Sequence, residues 1–167
     1  MEMNYGLIAL FALIPIVIGF VWYNPKVFGN AWMKTVGLTE EDAKNANMAK
    51  TMILAYIFSF LLVMAMHFLT IHQMHVYSIL LNETGFGEPG SEVQNLIDSF
   101  MASYGNNFRT FKHGAFHGVI DCLFVVLPVL GTNALFEMKG FKYIAINVGY
   151  WAITMGVIGG LVCQYAP

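Results

Sequence analysis

His113, His117 and Asp121 follow one another at four-residue intervals. On a helix such a spacing makes one stripe, drifting about 40° per step and descending about 12 Å over the set. Two imidazoles at i and i+4 can hold a transition metal from one helix face, with Asp121 or His67 completing its shell. A histidine beside a carboxylate can also pass protons, because imidazole titrates near pH ~6.5. Haem ligation is a third chemistry, in which His67 and His117 supply two axial nitrogens at one depth. The same groups also read as a structural seam, in which Asp121 stays neutral or pairs with His117 and glues two helices together. All five histidines of the chain, His67, His72, His75, His113 and His117, fall in this region. Spacing alone leaves these uses open, and the seam demands the least.

The elements that must position these groups are unlike those of a water-soluble domain. Of 167 residues, 57% are apolar and only 11% charged, with a mean hydropathy of +0.62. Soluble chains carry roughly 25% charge, so polar surface is lacking here. A net charge of −2 leaves no basic footprint for nucleic acid. Four stretches match the ~20 apolar residues that cross a bilayer: about 5–23, 51–71, 113–136 and 143–164. The chain is expected to be one all-α membrane domain over 1–167, a four-helix bundle. Pro15 is tolerable inside a span, and Pro128 is expected to free a carbonyl near Phe124 and kink the third one. Glu2 and the absence of Lys or Arg before the first span argue against a cleaved signal and for a retained anchor.

Charge sets the expected orientation. Lys26, Lys34, Lys44 and Lys50 join spans one and two, and Lys139 and Lys142 join three and four. The middle connection has only Arg109 and Lys112. Loops one and three are therefore expected in the cytoplasm, with both termini outside. Residues 72–112 then form an outer insertion. Cys122 and Cys163 lie in spans at different depths, so they are expected to be unbridged.

The connections carry their own signals. Phe28, Ala31, Trp32 and Val36 recur at helical spacing after Pro25, suggesting a short cytoplasmic interfacial helix. Thr39 caps a helix whose first turn holds Glu40, Glu41 and Asp42, so span two is expected to begin near Glu40. Ser91 and Gln94 read as a capping box before an amphipathic outer helix with the stripe Val93, Leu96, Ile97, Phe100, Met101 and Tyr104. Gly149, Gly156 and Gly160 place small residues on one side of span four, for close contact with another helix.

Certain stretches resemble a known family. Trp22-Tyr23-x-Pro25-x-x-Phe28-Gly29-x-x-Trp32-Met33-Lys34 is one. His113-Gly114-x-x-His117-Gly118 and Asn147-x-Gly149-Tyr150-Trp151 are others. Together they resemble the bacterial membrane family called domain of unknown function 1761. The resemblance implies a small four-helix protein of the bacterial cytoplasmic membrane and supplies no catalytic residues.

Two functions are compatible with these features. One is a non-catalytic accessory subunit that associates with other membrane subunits or with itself. The other is a small proton- or metal-handling channel or carrier using His67, His113, His117 and Asp121. No nucleophilic triad, phosphate loop or H-E-x-x-H pattern is present, so an enzyme is not expected.

Overall fold

A computed structural model describes residues 3–167; Met1 and Glu2, the latter used in arguing for a retained anchor, lie outside the described residues. The described residues are helical, without strands. Four helical segments are long and apolar enough to cross a membrane: Tyr5–Trp22, Met48–Thr70, Phe111–Phe136 and Phe141–Tyr165.

The first segment is two helices, α1 (Tyr5–Phe11) and α2 (Ile14–Trp22), and the break has a covalent cause. Pro15 has no N–H to donate, so it sits in the first turn of α2, where none is needed. A short helix, α3 (Gly29–Val36), follows and ends at Gly37, whose φ of 76° is the left-handed conformation that suits glycine. Next, α4 (Glu40–Asn45) starts with a full capping box between Thr39 and Asp42. Span two does not grow out of α4 as its cap suggested. Ala46 is extended, and the Asn47 side chain caps a fresh helix, α5 (Met48–Thr70).

The connection between spans two and three holds two helices. Gln73–Leu80 forms α6, which no sequence periodicity marked. Glu92–Tyr104 forms α7. Only half of the expected box forms at its start: Ser91 Oγ accepts from Gln94 N, but Gln94 Oε1 accepts from Gly87 N and its Nε2 donates to Asp98. α7 packs on α6 and buries Val93 and Ile97, whereas Leu96, Phe100 and Tyr104 of the same stripe stay exposed.

The third span is α8 (Phe111–Asp121), a π-helical turn (Cys122–Val126) and α9 (Leu127–Phe136). Pro128 explains the turn. Its ring collides with the carbonyl four residues back, and widening the helix before it relieves the clash.

The last span, α10 (Phe141–Tyr165), is the hub. Within its most apolar window 67% of residues are buried by protein, against 17–22% in the other three. It is also the least apolar of the four, as befits a helix surrounded by protein instead of lipid. α10 packs most closely on α8, then on α5 and α2. Lipid gives helices no hydrophobic reason to associate, so contact depends on backbones approaching closely. A Cβ on Gly118 would overlap the Met155 carbonyl, and one on Gly114 would overlap that of Gly159.

The glycines of α10 divide between neighbours. Gly156 faces Val119, Gly160 faces the Phe111 ring, and Gly149 lies under Trp22. Gly149 therefore does not extend the Gly156–Gly160 face, as the seven-residue spacing suggested; it receives α2. These contacts are within the chain's own bundle.

Side-chain bonds lock both ends of the hub. At the first-loop end, Trp22 Nε1 donates to Ile146 O at 3.0 Å and Tyr23 Oη to Asn147 Oδ1 at 3.0 Å. Tyr150 Oη donates to Pro15 O at 2.8 Å. At the other end Arg109 Nε donates to Cys163 O at 2.7 Å, and its Nη2 donates to Ala166 O. A guanidinium there satisfies carbonyls that the helix leaves unpaired and opposes its dipole. Cys122 and Cys163 are free thiols, both buried.

Candidate metal centre

The site is assembled at the histidine end by three elements. α8 presses its glycine side on α10, since Gly114 and Gly118 are the only way the two backbones can meet so closely. His113 and His117 each precede one of those glycines by one residue, about 100° around the helix. They therefore stand at the edge of the α8–α10 contact, half-buried, one turn apart. Their rings are 4.5 Å apart between centroids.

The third imidazole comes from the turn after α5. Ile71 is fully buried and extended (φ −104°, ψ 98°), which ends the helix and redirects the chain. His72, the next residue, swings over α8. Its Nε2 lies 3.0 Å from His113 Nε2, and its ring centroid is 4.9 Å from that of His117. Each of His72, His113 and His117 offers a nitrogen, and these three nitrogens lie within 4.8 Å of one another. A tetrahedral zinc shell has Zn–N bonds of about 2.0–2.1 Å, which puts its nitrogens roughly 3.3 Å apart. Small ring rotations would suffice to close the set on one ion. Three imidazoles with a position left for water or another donor suit Zn2+, Cu2+ or Ni2+ and do not suit Mg2+ or Ca2+.

The surroundings are aromatic. Phe108 packs on His113 at 5.1 Å and edge-on to His72 at 6.3 Å. Its backbone φ is +61°, a left-handed conformation that a bulky residue seldom adopts. Phe116 stands edge-on to His117 at 6.1 Å.

Of the residues singled out from sequence, His113 and His117 are in this group and His67 and Asp121 are not. His67 is 2% exposed, with its Nδ1 2.8 Å from Val63 O. That bond fixes the proton on Nδ1 and leaves Nε2 as an acceptor, sealed among protein atoms without a partner. A porphyrin has no open face to approach on His67, so the haem pair His67–His117 does not fit. Asp121 is half-buried at the start of the π turn, and its Oδ2 is likewise buried without a partner. No bond joins it to His117 among the described residues. His75 points elsewhere, its Nδ1 3.3 Å from His72 O.

His72 was grouped by sequence only as one of five histidines on one side. The signal that could have selected it over His67 is local. Thr70-Ile71-His72 pairs two β-branched residues with a histidine at the end of an apolar run, where the chain must turn.

A family model described as a protein of unknown function, DUF1761, matches residues 7–163. No curated protein and no solved structure matches the chain.

Proposed function

The chain belongs to the family of domain of unknown function 1761, and from that footing we propose that it is a multi-pass membrane protein that holds one transition-metal ion through His72, His113 and His117. The observation that carries this reading is the meeting of three imidazole nitrogens from two separate elements within 4.8 Å. A seam needs only pairwise bonds between helices; three imidazole nitrogens brought together from two separate elements, without a carboxylate among them, make a donor set suited to one transition-metal cation. Beneath the group the core of Met66, Met155, Ile158 and Val162 is apolar and closed. That favours holding an ion at the surface over conducting it through the bundle. The role is non-catalytic, one of metal reception or storage at the membrane face.

The lysine distribution supports a bacterial cytoplasmic membrane orientation with both termini, and hence the histidine group, outside the cytoplasm. The test of sidedness uses single introduced cysteines in whole cells. Glu88→Cys should react with an impermeant maleimide, and Lys44→Cys should react only after permeabilisation; the reverse pattern puts the metal site on the cytosolic side.

The test of function is equilibrium dialysis of the detergent-purified protein against Zn2+. One ion per chain, lost when His113 and His117 are both replaced by Ala, supports the reading. Binding that survives the double replacement overturns it.

Association with other membrane subunits, or with a second copy, is a second reading. It is supported by the exposed Leu96, Phe100 and Tyr104 stripe of α7, 58%, 37% and 52% exposed, apolar surface that lies outside the spans. Native mass measurement in mild detergent tests it, and a single monomeric species counts against it.

A further inference from the structure

Phe108 stands where stability alone would not put it. It is 65% exposed, so the fold buries little of its ring. Its φ of +61° places an aromatic residue in the left-handed region. Such a conformation persists only where the surroundings over-determine it, and it clusters at sites that use it.

The surroundings do so here, from both sides. Toward α10, Cys163 Sγ donates to Phe108 O at 3.3 Å, and Thr110 N donates to the same carbonyl at 2.8 Å. The Arg109 guanidinium is tied to Cys163 O and Ala166 O, and Phe111 N donates to Gln164 Oε1 at 3.2 Å. Toward α6, the buried Gln73 donates its Nε2 to Tyr104 O at 3.1 Å and to Asn107 O at 2.8 Å. Gln73 directly follows His72, so one amide fixes the backbone before Phe108 and the turn that carries the ligand.

The ring held in this way meets two imidazoles. It lies 5.1 Å from His113 in a tilted stack, with planes 30° apart, and 6.3 Å from His72 at 89°. These are the two histidines whose Nε2 atoms meet at 3.0 Å. A face along His113 and an edge against His72 restrict how either imidazole turns about its Cβ–Cγ bond. Rings already oriented lose less freedom when an ion arrives. Groups around a metal that orient its histidines, and an apolar shell that limits solvent access, also set its affinity.

We propose that Phe108 is a positioning residue of the metal centre, its strained backbone holding the ring against His113 and His72 so that both imidazoles are set for one ion. The inference rests on the metal reading and names the residue outside the ligand set on which that site depends.

The test is Zn2+ titration together with a metal-free melting curve, on the full chain in detergent, for wild type, Phe108→Gly and Phe108→Tyr. Phe108→Gly should weaken Zn2+ binding about tenfold or more. Its metal-free melting temperature should stay equal or rise, because glycine adopts positive φ freely. Phe108→Tyr keeps the ring and should bind within about threefold of wild type. Unchanged affinity in Phe108→Gly overturns the proposal, as does Phe108→Tyr binding no better than Phe108→Gly. A melting temperature that falls along with affinity makes Phe108 a packing residue and also overturns it. Failure of wild type to bind Zn2+ is a separate result, which removes the metal reading. The orienting contact is then decided without metal, by carbethoxylation of His113 with diethyl pyrocarbonate, read by peptide mass. The reaction should run severalfold faster in Phe108→Gly than in wild type or Phe108→Tyr, and equal rates in all three overturn the contact.

Discussion

His72 Nε2 lies 3.0 Å from His113 Nε2 across 41 residues of sequence. Two imidazole nitrogens at that separation cannot both present lone pairs, so in the metal-free protein one must carry a proton and donate to the other. A metal ion removes that constraint by accepting both lone pairs. The contact is thus a hydrogen bond in one state and a ligand pair in the other.

His72→Ala, His113→Ala and His117→Ala should each weaken Zn2+ binding by about 100-fold or more, since two imidazoles make a much poorer site than three. His67→Ala and His75→Ala should leave it within about threefold. Isothermal titration of the five variants checks this. Acidification should mimic loss of the ligands, because a protonated imidazole has no lone pair to give.

Asp121 invites the opposite expectation from the one its spacing suggests. It is outside the ligand group, and its Oδ2 is buried without a partner. Asp121→Asn should therefore leave Zn2+ affinity unchanged and leave thermal stability equal or higher, because an amide is cheaper to bury than an unpaired carboxylate. Metal titration and a melting curve on one preparation decide it; a large loss of affinity would make Asp121 a ligand.

The α8–α10 contact predicts a sharp contrast between glycines. Gly118→Ala would drive a methyl group into the Met155 carbonyl, and backbone cannot move aside as a side chain can. Destabilisation of about 1–3 kcal/mol is expected, as for other overpacked sites. Gly131→Ala meets nothing nearer than a leucine methyl at 3.9 Å, so it should be neutral or stabilising by up to ~1 kcal/mol. Denaturation in detergent measures both.

The capping box gives a pH dependence with a definite sign. Asp42 accepts from the Thr39 hydroxyl at 2.6 Å and from Thr39 N at 2.9 Å, which holds its carboxyl below the usual carboxylate range. A depressed pKa means the contribution is present above about pH 4, where the unfolded carboxylate is ionised. It disappears as pH falls through the lower folded value. Amide protection factors, with the intrinsic pH dependence of exchange divided out, should therefore fall in α4 in acid, while those of the first turn of α5, capped by the uncharged Asn47, should not respond. Equal loss of protection in both helices would remove the box as the cause.

The spans were legible because lipid imposes length and apolarity on every residue of a crossing helix. So was the end of the bundle at which the histidines gather, since position along the axis follows from residue count along each span. The partner of His113 and His117 was not legible. His67 and His72 are five residues apart and similar in depth, and only the turn at Ile71 separates a core residue from a ligand. Likewise, spacing nominated Gly156 and Gly160 on α10, but the tightest approach also needs Gly114 and Gly118 on the facing helix, and pairing between helices leaves no trace in one helix's periodicity. α6 escaped notice because Gln73–Leu80 is short and lies next to a strongly apolar span, which masks its own pattern.

Zinc-edge X-ray absorption on the protein loaded with one equivalent of Zn2+ tests the metal centre most directly. The fit should return three imidazole nitrogens at about 2.0 Å with one light donor from solvent, and the imidazole scattering should fall when His72 is replaced by Ala. A shell of carboxylate oxygens or sulfur, or a spectrum indifferent to His72, would contradict it.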